Sequence, residues 1–239
     1  MLNGINRTLF ATADDELRPI MNGIFIDIHP EDAYFVASDS HKLVRYKNVT
    51  VKAGIEAAFI LPKKPANLLK NILPKEQGDV TITFDNRNAR FTLSNFVLNC
   101  RLIEGRYPNY ASVIPQNNPN RLIIDRSLFT NVLRRVSVFS SQSSNLVKLQ
   151  LSNNMVVVSA QDIDYSTSAE ESITCSYDGD EMSIGFKSTF LVEVLNNIVS
   201  QEVSIELSDP SRAGLILPME NQPDEDLLML LMPMMLNDF

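Results

Sequence analysis

The sequence predicts an α+β chain of two similar domains, each with two helices packed on antiparallel sheets. Three observations carry that reading. Residues recur at one offset of 123: Asn22 with Asn145, Ala37-x-Asp39 with Ala160-x-Asp162, and Val80-Thr81-Ile82 with Val203-Ser204-Ile205. Runs of four to ten residues alternate apolar with polar between turn residues, the period of a half-buried strand. A few stretches instead place apolar residues at helical spacing, beginning with Leu2, Ile5 and Leu9.

Taken in order, the opening helix is broken by Asp14-Asp15-Glu16 and Pro19. Gly23 to Ile28, Ala33 to Ser38 and Leu43 to Tyr46 then read as a meander, with His29-Pro30-Glu31-Asp32 and Ser38-Asp39-Ser40 as turns. Ala57 to Leu61 is a fourth strand. Pro65 marks the first turn of a helix through Leu73, and Asp79 to Phe84, Ala89 to Leu93 and Phe96 to Ile103 are three more strands.

The second half repeats this layout. Arg121 to Asp125 is a strand, Arg126 to Val138 a helix, and Leu146 to Leu151, Met155 to Ala160 and Ser166 to Cys175 a meander. Met182 to Phe186, a helix over Ser188 to Val199, then Val203 to Leu207, Gly214 to Leu217 and Leu227 to Met232 complete it. In the register set by apolar spacing, Leu2, Ile5 and Leu9 correspond to Phe129, Val132 and Val136. The first half then has no counterpart of the strand Arg121 to Asp125. The domains are read as 1–118 and 119–239.

The chain ends in Leu227-Leu-Met-Leu-Leu-Met-Pro-Met-Met-Leu236, about half the length a membrane helix needs. Pro233 lacks the N–H that a central strand requires, so the run should divide into a strand and a short tail over Pro233 to Phe239. The methionines read either as core filler at a last strand or as an apolar surface that adapts to several ligands.

Composition excludes several classes. A net charge of −8 argues against a nucleic-acid footprint over the whole surface, though not against a local one. The two cysteines, Cys100 and Cys175, sit in strand-like apolar contexts and read as reduced packing residues of a cytoplasmic protein. With eight glycines and two histidines there is no nucleophile elbow, phosphate-cradling loop or metal-ligand cluster. Asp39-Ser40-His41 is not a catalytic triad, because neighbours on one turn rarely set a base and an oxyanion site around a serine. No catalytic residue, metal or cofactor is expected.

Three stretches, Ala37-Ser-Asp-Ser-His-Lys-Leu43, Leu102-Ile-Glu-Gly-Arg-Tyr-Pro-Asn-Tyr110 and Leu231-Met-Pro-Met-Met-Leu236, together with Arg18-Pro-Ile-Met-Asn-Gly23, resemble the bacterial DNA polymerase III beta subunit, the sliding clamp. The motifs keep the family's order over the whole chain. The resemblance implies two DNA-clamp domains, the middle and last of the family's three, with the first absent.

It further implies a processivity factor, not an enzyme, that tethers polymerase by encircling duplex DNA without sequence preference. The full-length family protein is a homodimeric ring, and this shorter chain is expected to be a monomer or weak dimer. A hydrophobic pocket between middle and last domains takes short linear peptides from DNA polymerase, the clamp loader and repair proteins. Carried over, that pocket comprises Arg18, Met21, Ser38, His41, Leu43, Pro108, Val113, Leu230, Met232, Pro233, Met234, Met235 and Leu236.

Three positions depart from the family: Ser40 where glycine is common, Met235 where arginine is common, and the added Asn237-Asp238-Phe239. Asp39 has a repeat partner in Asp162, which marks a turn-forming side chain, whereas Asp164 occupies the place of His41. The helix residues Arg7, Lys63, Lys64, Lys70, Arg134, Arg135 and Lys187 are the candidates for DNA phosphate. Taken singly each reads better as a solvated helix residue, and only gathered on helices that face one way would they form an attractive wall for DNA; the rival reading is a peptide-binding scaffold without DNA function.

Overall fold

The computed structural model describes residues 1–236, so the Asn237-Asp238-Phe239 extension lies outside the described residues. Its elements are α1 (Leu2–Thr8), β1 (Gly23–Ile28), β2 (Ala33–Ser38), β3 (Lys42–Asn48), β4 (Ala57–Pro62), α2 (Lys63–Ile72), β5 (Thr81–Phe84), β6 (Asn88–Thr92) and β7 (Val97–Arg101). These are followed by β8 (Asn120–Asp125), α3 (Arg126–Val136), β9 (Leu146–Ser152), β10 (Met155–Asp162), β11 (Thr167–Thr174) and β12 (Ser176–Asp178). β13 (Met182–Lys187), α4 (Ser188–Asn196), β14 (Glu202–Leu207), β15 (Gly214–Pro218) and β16 (Glu225–Leu231) complete the order. The chain divides into two compact units: Met1–Ala111 with Gln222–Leu227, and Ser112–Asn221 with the chain from Leu228.

In the first unit β3, β2, β1 and β4 pair antiparallel in that order, and β5, β6 and β7 form a second, three-stranded sheet. Alternation sets the faces: Ala89 and Phe91 of β6 are buried while Asn88, Arg90 and Thr92 are exposed. α1 packs on β2 and β3 and α2 on β1 and β4. Gly4 faces the Phe35 ring so closely that a Cβ would meet ring carbons at 2.5 and 2.6 Å. Close packing therefore overrides the usual advantage of alanine in a helix.

The helix expected to open near Pro65 begins two residues earlier, at Lys63. Pro65 is then third in the helix, still among the first four residues whose N–H groups have no intrahelical partner, so its missing donor costs nothing.

In the second unit β12, β8, β14, β15 and the Leu228–Leu231 part of β16 form one sheet, and β11, β10, β9 and β13 the other. α3 packs on α4, β10 and β11, and buries Phe129, Val132, Leu133 and Val136 at 0–2% exposure. The strand expected over Ser166 to Cys175 stops at Thr174. After Cys175 the chain switches sheets, and Ser176–Asp178 pairs with β8.

The repeat has a backbone meaning. In each unit the first residue of the second helix donates to an asparagine carbonyl at the head of the meander: Lys63 N–H to Asn22 (3.1 Å) and Ser188 N–H to Asn145 (2.8 Å). Asp39 Oδ1 accepts from the His41 and Lys42 amides, and Asp162 Oδ1 from the Tyr165 amide, so both aspartates hold turns.

The last strand differs from expectation at both ends. It starts at Glu225 rather than Leu227, because Asp226 receives a hydrogen bond from Arg45 (2.8 Å), Asp224 O one from the Val49 amide (3.1 Å), and Glu225 one from Arg7 (3.2 Å). It ends at Leu231, before Pro233 can interrupt a ladder.

Candidate functional site

On the first unit, the β2–β3 turn and the 3₁₀ turn Pro19–Met21 form one exposed surface. Arg18 leads into that turn; its Nε donates to Asp15 Oδ2 at 2.8 Å and its Nη1 to Ser40 Oγ. Ser40 Oγ in turn lies 3.5 Å from Met21 Sδ. Arg18, Met21, Ser40 and the exposed His41 are thus brought together, and the guanidinium holds the Asp15 carboxyl below its usual range. The turn is stiff, because the buried Lys42 places its ammonium 2.6 Å from Asp39 Oδ2 and Ser38 Oγ donates to Lys42 O at 2.9 Å.

Ser38 and Leu43 are 7% and 4% exposed, so they act as the floor beneath this surface. Pro108 lines a cavity of about 370 Å³ with Phe25, Arg106, Tyr107, Asn109 and Tyr110. Phe25 stacks on Tyr107 there at 4.8 Å.

The backbone of Ser40 explains why the family pattern favours glycine at this position. Its φ is +78°, in the left-handed region, which costs an L-residue about 1–2 kcal/mol, and hydrogen bonding to Arg18 compensates in part. Ser40→Gly is expected to raise stability by up to about 1 kcal/mol, after allowing for the extra freedom glycine brings to the unfolded chain. Thermal unfolding checks the sign: a lower midpoint would mean that the Arg18 contact outweighs the strain.

On the second unit the chain leaves β16 as the short tail expected after Pro233, and it is tied down within that unit. Met234 donates its N–H to Gly185 O of β13 at 2.8 Å and forms an antiparallel bridge there. Met232 and Met235 are 41% and 68% exposed, Pro233, Met234 and Leu236 are half-buried, and Val113 is exposed in the 3₁₀ turn Tyr110–Val113. Leu230 pairs with Leu215 and is 3% exposed, a sheet residue rather than a contact surface.

The candidate phosphate contacts divide into two groups. Arg7 is paired with Glu225, Lys63 with Asp14, and Arg135 with both oxygens of Glu171 (3.1 and 2.5 Å), which holds that carboxyl below its usual range. Arg134 donates to Asn196 Oδ1 at 3.2 Å and Lys187 sits 4.7 Å over the Phe190 ring. Lys64 and Lys70 of α2 are exposed.

Among the described residues no cluster of His, Cys, Asp or Glu could hold a metal ion. Burial pushes the Cys100 and Cys175 thiols up, and both are free. No helix of the described residues is long and apolar enough to cross a membrane.

Two site residues escaped the sequence reading. Tyr107 lies within Leu102 to Tyr110 with no local signal of a role, and its burial, which pushes the phenol up, is a tertiary fact. Gly185 had a signal: an isolated glycine inside the strand Met182 to Phe186 indicates close approach of another backbone.

Known proteins match this chain over almost all of its length. The model of the DNA polymerase III beta subunit central domain matches residues 1–109, and that of its C-terminal domain residues 111–235. The beta sliding clamp of Pseudomonas aeruginosa is 28% identical over 233 residues, 97% of this chain and 62% of that protein. That of Synechococcus elongatus is 27% identical over 92% of this chain and 60% of its own.

The crystal structure of the Pseudomonas aeruginosa sliding clamp bound to griselimycin has a TM-score of 0.92 at 27% identity, covering 98% of this chain and 63% of that one. The Bartonella birtlesii clamp, also bound to griselimycin, has a TM-score of 0.91 at 29% identity over the same shares. The chain therefore spans less than two thirds of the length of these relatives.

Proposed function

The chain belongs to the DNA polymerase III beta subunit family, and on that premise we propose that it supplies two successive domains of a sliding clamp, the first ending between Ala111 and Asn118. It serves DNA replication in the cytoplasm as a non-catalytic processivity factor that holds DNA polymerase on encircled duplex DNA. Polymerase, clamp loader and repair proteins dock through short linear peptides. The observation that carries this reading is the end-to-end match of two consecutive clamp-domain models to residues 1–109 and 111–235.

The peptide site is proposed on surfaces that both units carry: Arg18, Met21, His41 and Pro108 on the first, and Val113 and the exposed methionines of the terminal segment on the second. Flexible thioethers around a proline suit ligands that share apolar anchors and differ elsewhere. The ligand-bound relatives support a pocket on this fold.

The test is calorimetric titration with a peptide carrying Leu then Phe. Binding is expected near micromolar, about −8 kcal/mol, and Met232→Ala or Met234→Ala each weakens it by roughly 1–3 kcal/mol through lost apolar burial. Unchanged affinity in both variants would place the site elsewhere.

The second reading, a peptide scaffold without DNA function, is favoured by one observation: Arg7, Lys63 and Arg135 already hold carboxylates. Lys64, Lys70, Arg134 and Lys187 are left as candidate phosphate contacts, so binding of the 239-residue chain to linear DNA should be weak and vanish by physiological salt. Light scattering is expected to report a monomer or weak dimer at micromolar concentration. A closed ring of this chain that stays on circular DNA and leaves once the circle is cut would overturn that expectation.

A further inference from the structure

β13 is an outer strand of its sheet, held on one side by β9 through the pairs Ile184↔Leu149, Gly185↔Lys148 and Phe186↔Val147. Among the described residues its other side forms one bridge, where Met234 donates to Gly185 O. Gly185 is not among the residues with positive φ, so the backbone itself does not demand glycine there. Space does. A Cβ on Gly185 would lie 2.7 Å from Met234 O, 2.8 Å from Leu236 Cδ2 and 2.9 Å from Leu146 Cδ1. Contacts this short force something to shift, and the first of them is main chain.

We propose that Gly185 is a positioning residue for ligand capture: it seats the segment Met232 to Leu236 as a strap, and so presents the exposed Met232 and Met235. This rests on the peptide-binding reading given above. Pro233 supplies no N–H, so among the described residues the strap is attached through the Met234 amide, and Leu236 closes over the glycine. A ligand that needs the methionines in place gains from a seated strap, because their ordering cost is met before it binds.

The experiment uses the full chain with Gly185→Ala, Met234→Pro, which removes the donor, and both together. Hydrogen exchange reads the strap at the Met234 to Leu236 amides, and titration with the Leu-Phe peptide reads capture. Gly185→Ala is expected to speed exchange of these amides and weaken the peptide roughly 3- to 10-fold, the range set by one lost hydrogen bond. In the Met234→Pro background it should weaken the peptide no further, because the strap is already free.

An equal loss in both backgrounds would mark Gly185 as merely structural and overturn the proposal. So would a loosened strap with unchanged affinity, or a strap that stays protected in Gly185→Ala. If that variant does not fold, Met234→Pro, which leaves β13 intact, must loosen Met235 and Leu236 and weaken the peptide more than Met234→Ala, which loses the thioether but keeps the amide; equal losses in the two would overturn the proposal. A parent chain that keeps its strap protected yet binds no peptide would sink the peptide-binding reading itself, which sets that failure apart from the others.

Discussion

Replacing Arg7 with alanine is expected to destabilise the first unit by about 3–5 kcal/mol, the cost of leaving a buried charge without its partner. The Arg7 guanidinium lies 3.2 Å from Glu225 Oε1, with the two side chains only 18% and 5% exposed. Removing the arginine leaves a carboxylate that is 5% exposed without its cation.

Arg7→Met combined with Glu225→Leu should restore most of the loss, since apolar groups of similar size often replace a buried pair without penalty. Urea unfolding of the single and double variants decides it. Normal stability in Arg7→Ala together with weaker DNA binding would return Arg7 to the DNA-contacting set.

Phe129→Ala is expected to cost the second unit about 3–5 kcal/mol, from the lost transfer energy and the cavity left behind. Phe129 has 0% exposure and lies in the α3 stripe with Val132, Leu133 and Val136. Its repeat equivalent, Leu2, is only half-buried in α1. Leu2→Ala should therefore cost clearly less, though the two residues hold one place in the repeat. Denaturant unfolding of both variants tests this, and equal losses would show that repeat register rather than local packing sets the energy.

Much of the fold is local chemistry written along the chain. Gly23–Ile28 and Ala33–Ser38 are strands over the residues that alternation marks, and the 123-residue offset finds Asn22 and Asn145, which close the same hydrogen bond in each unit. Periodicity records which face of an element leaves water, and a turn aspartate bonds amides two or three residues away, so a sequence carries both. Motif order likewise sufficed for the family.

Partners distant in sequence are another matter. Nothing near Arg7 announces Glu225, 218 residues on, and so a helix cation that reads as a DNA contact becomes one half of a buried pair. The return of Gln222–Leu227 to the first unit, the passage of Ser176–Asp178 to the other sheet and the bridge of Met234 to Gly185 have the same origin. Local pattern and motif order carry the elements, their repetition and the family. Which charges neutralise one another and where the terminal strap is held follow from tertiary packing, because those energies depend on burial and on distances that chain order does not encode.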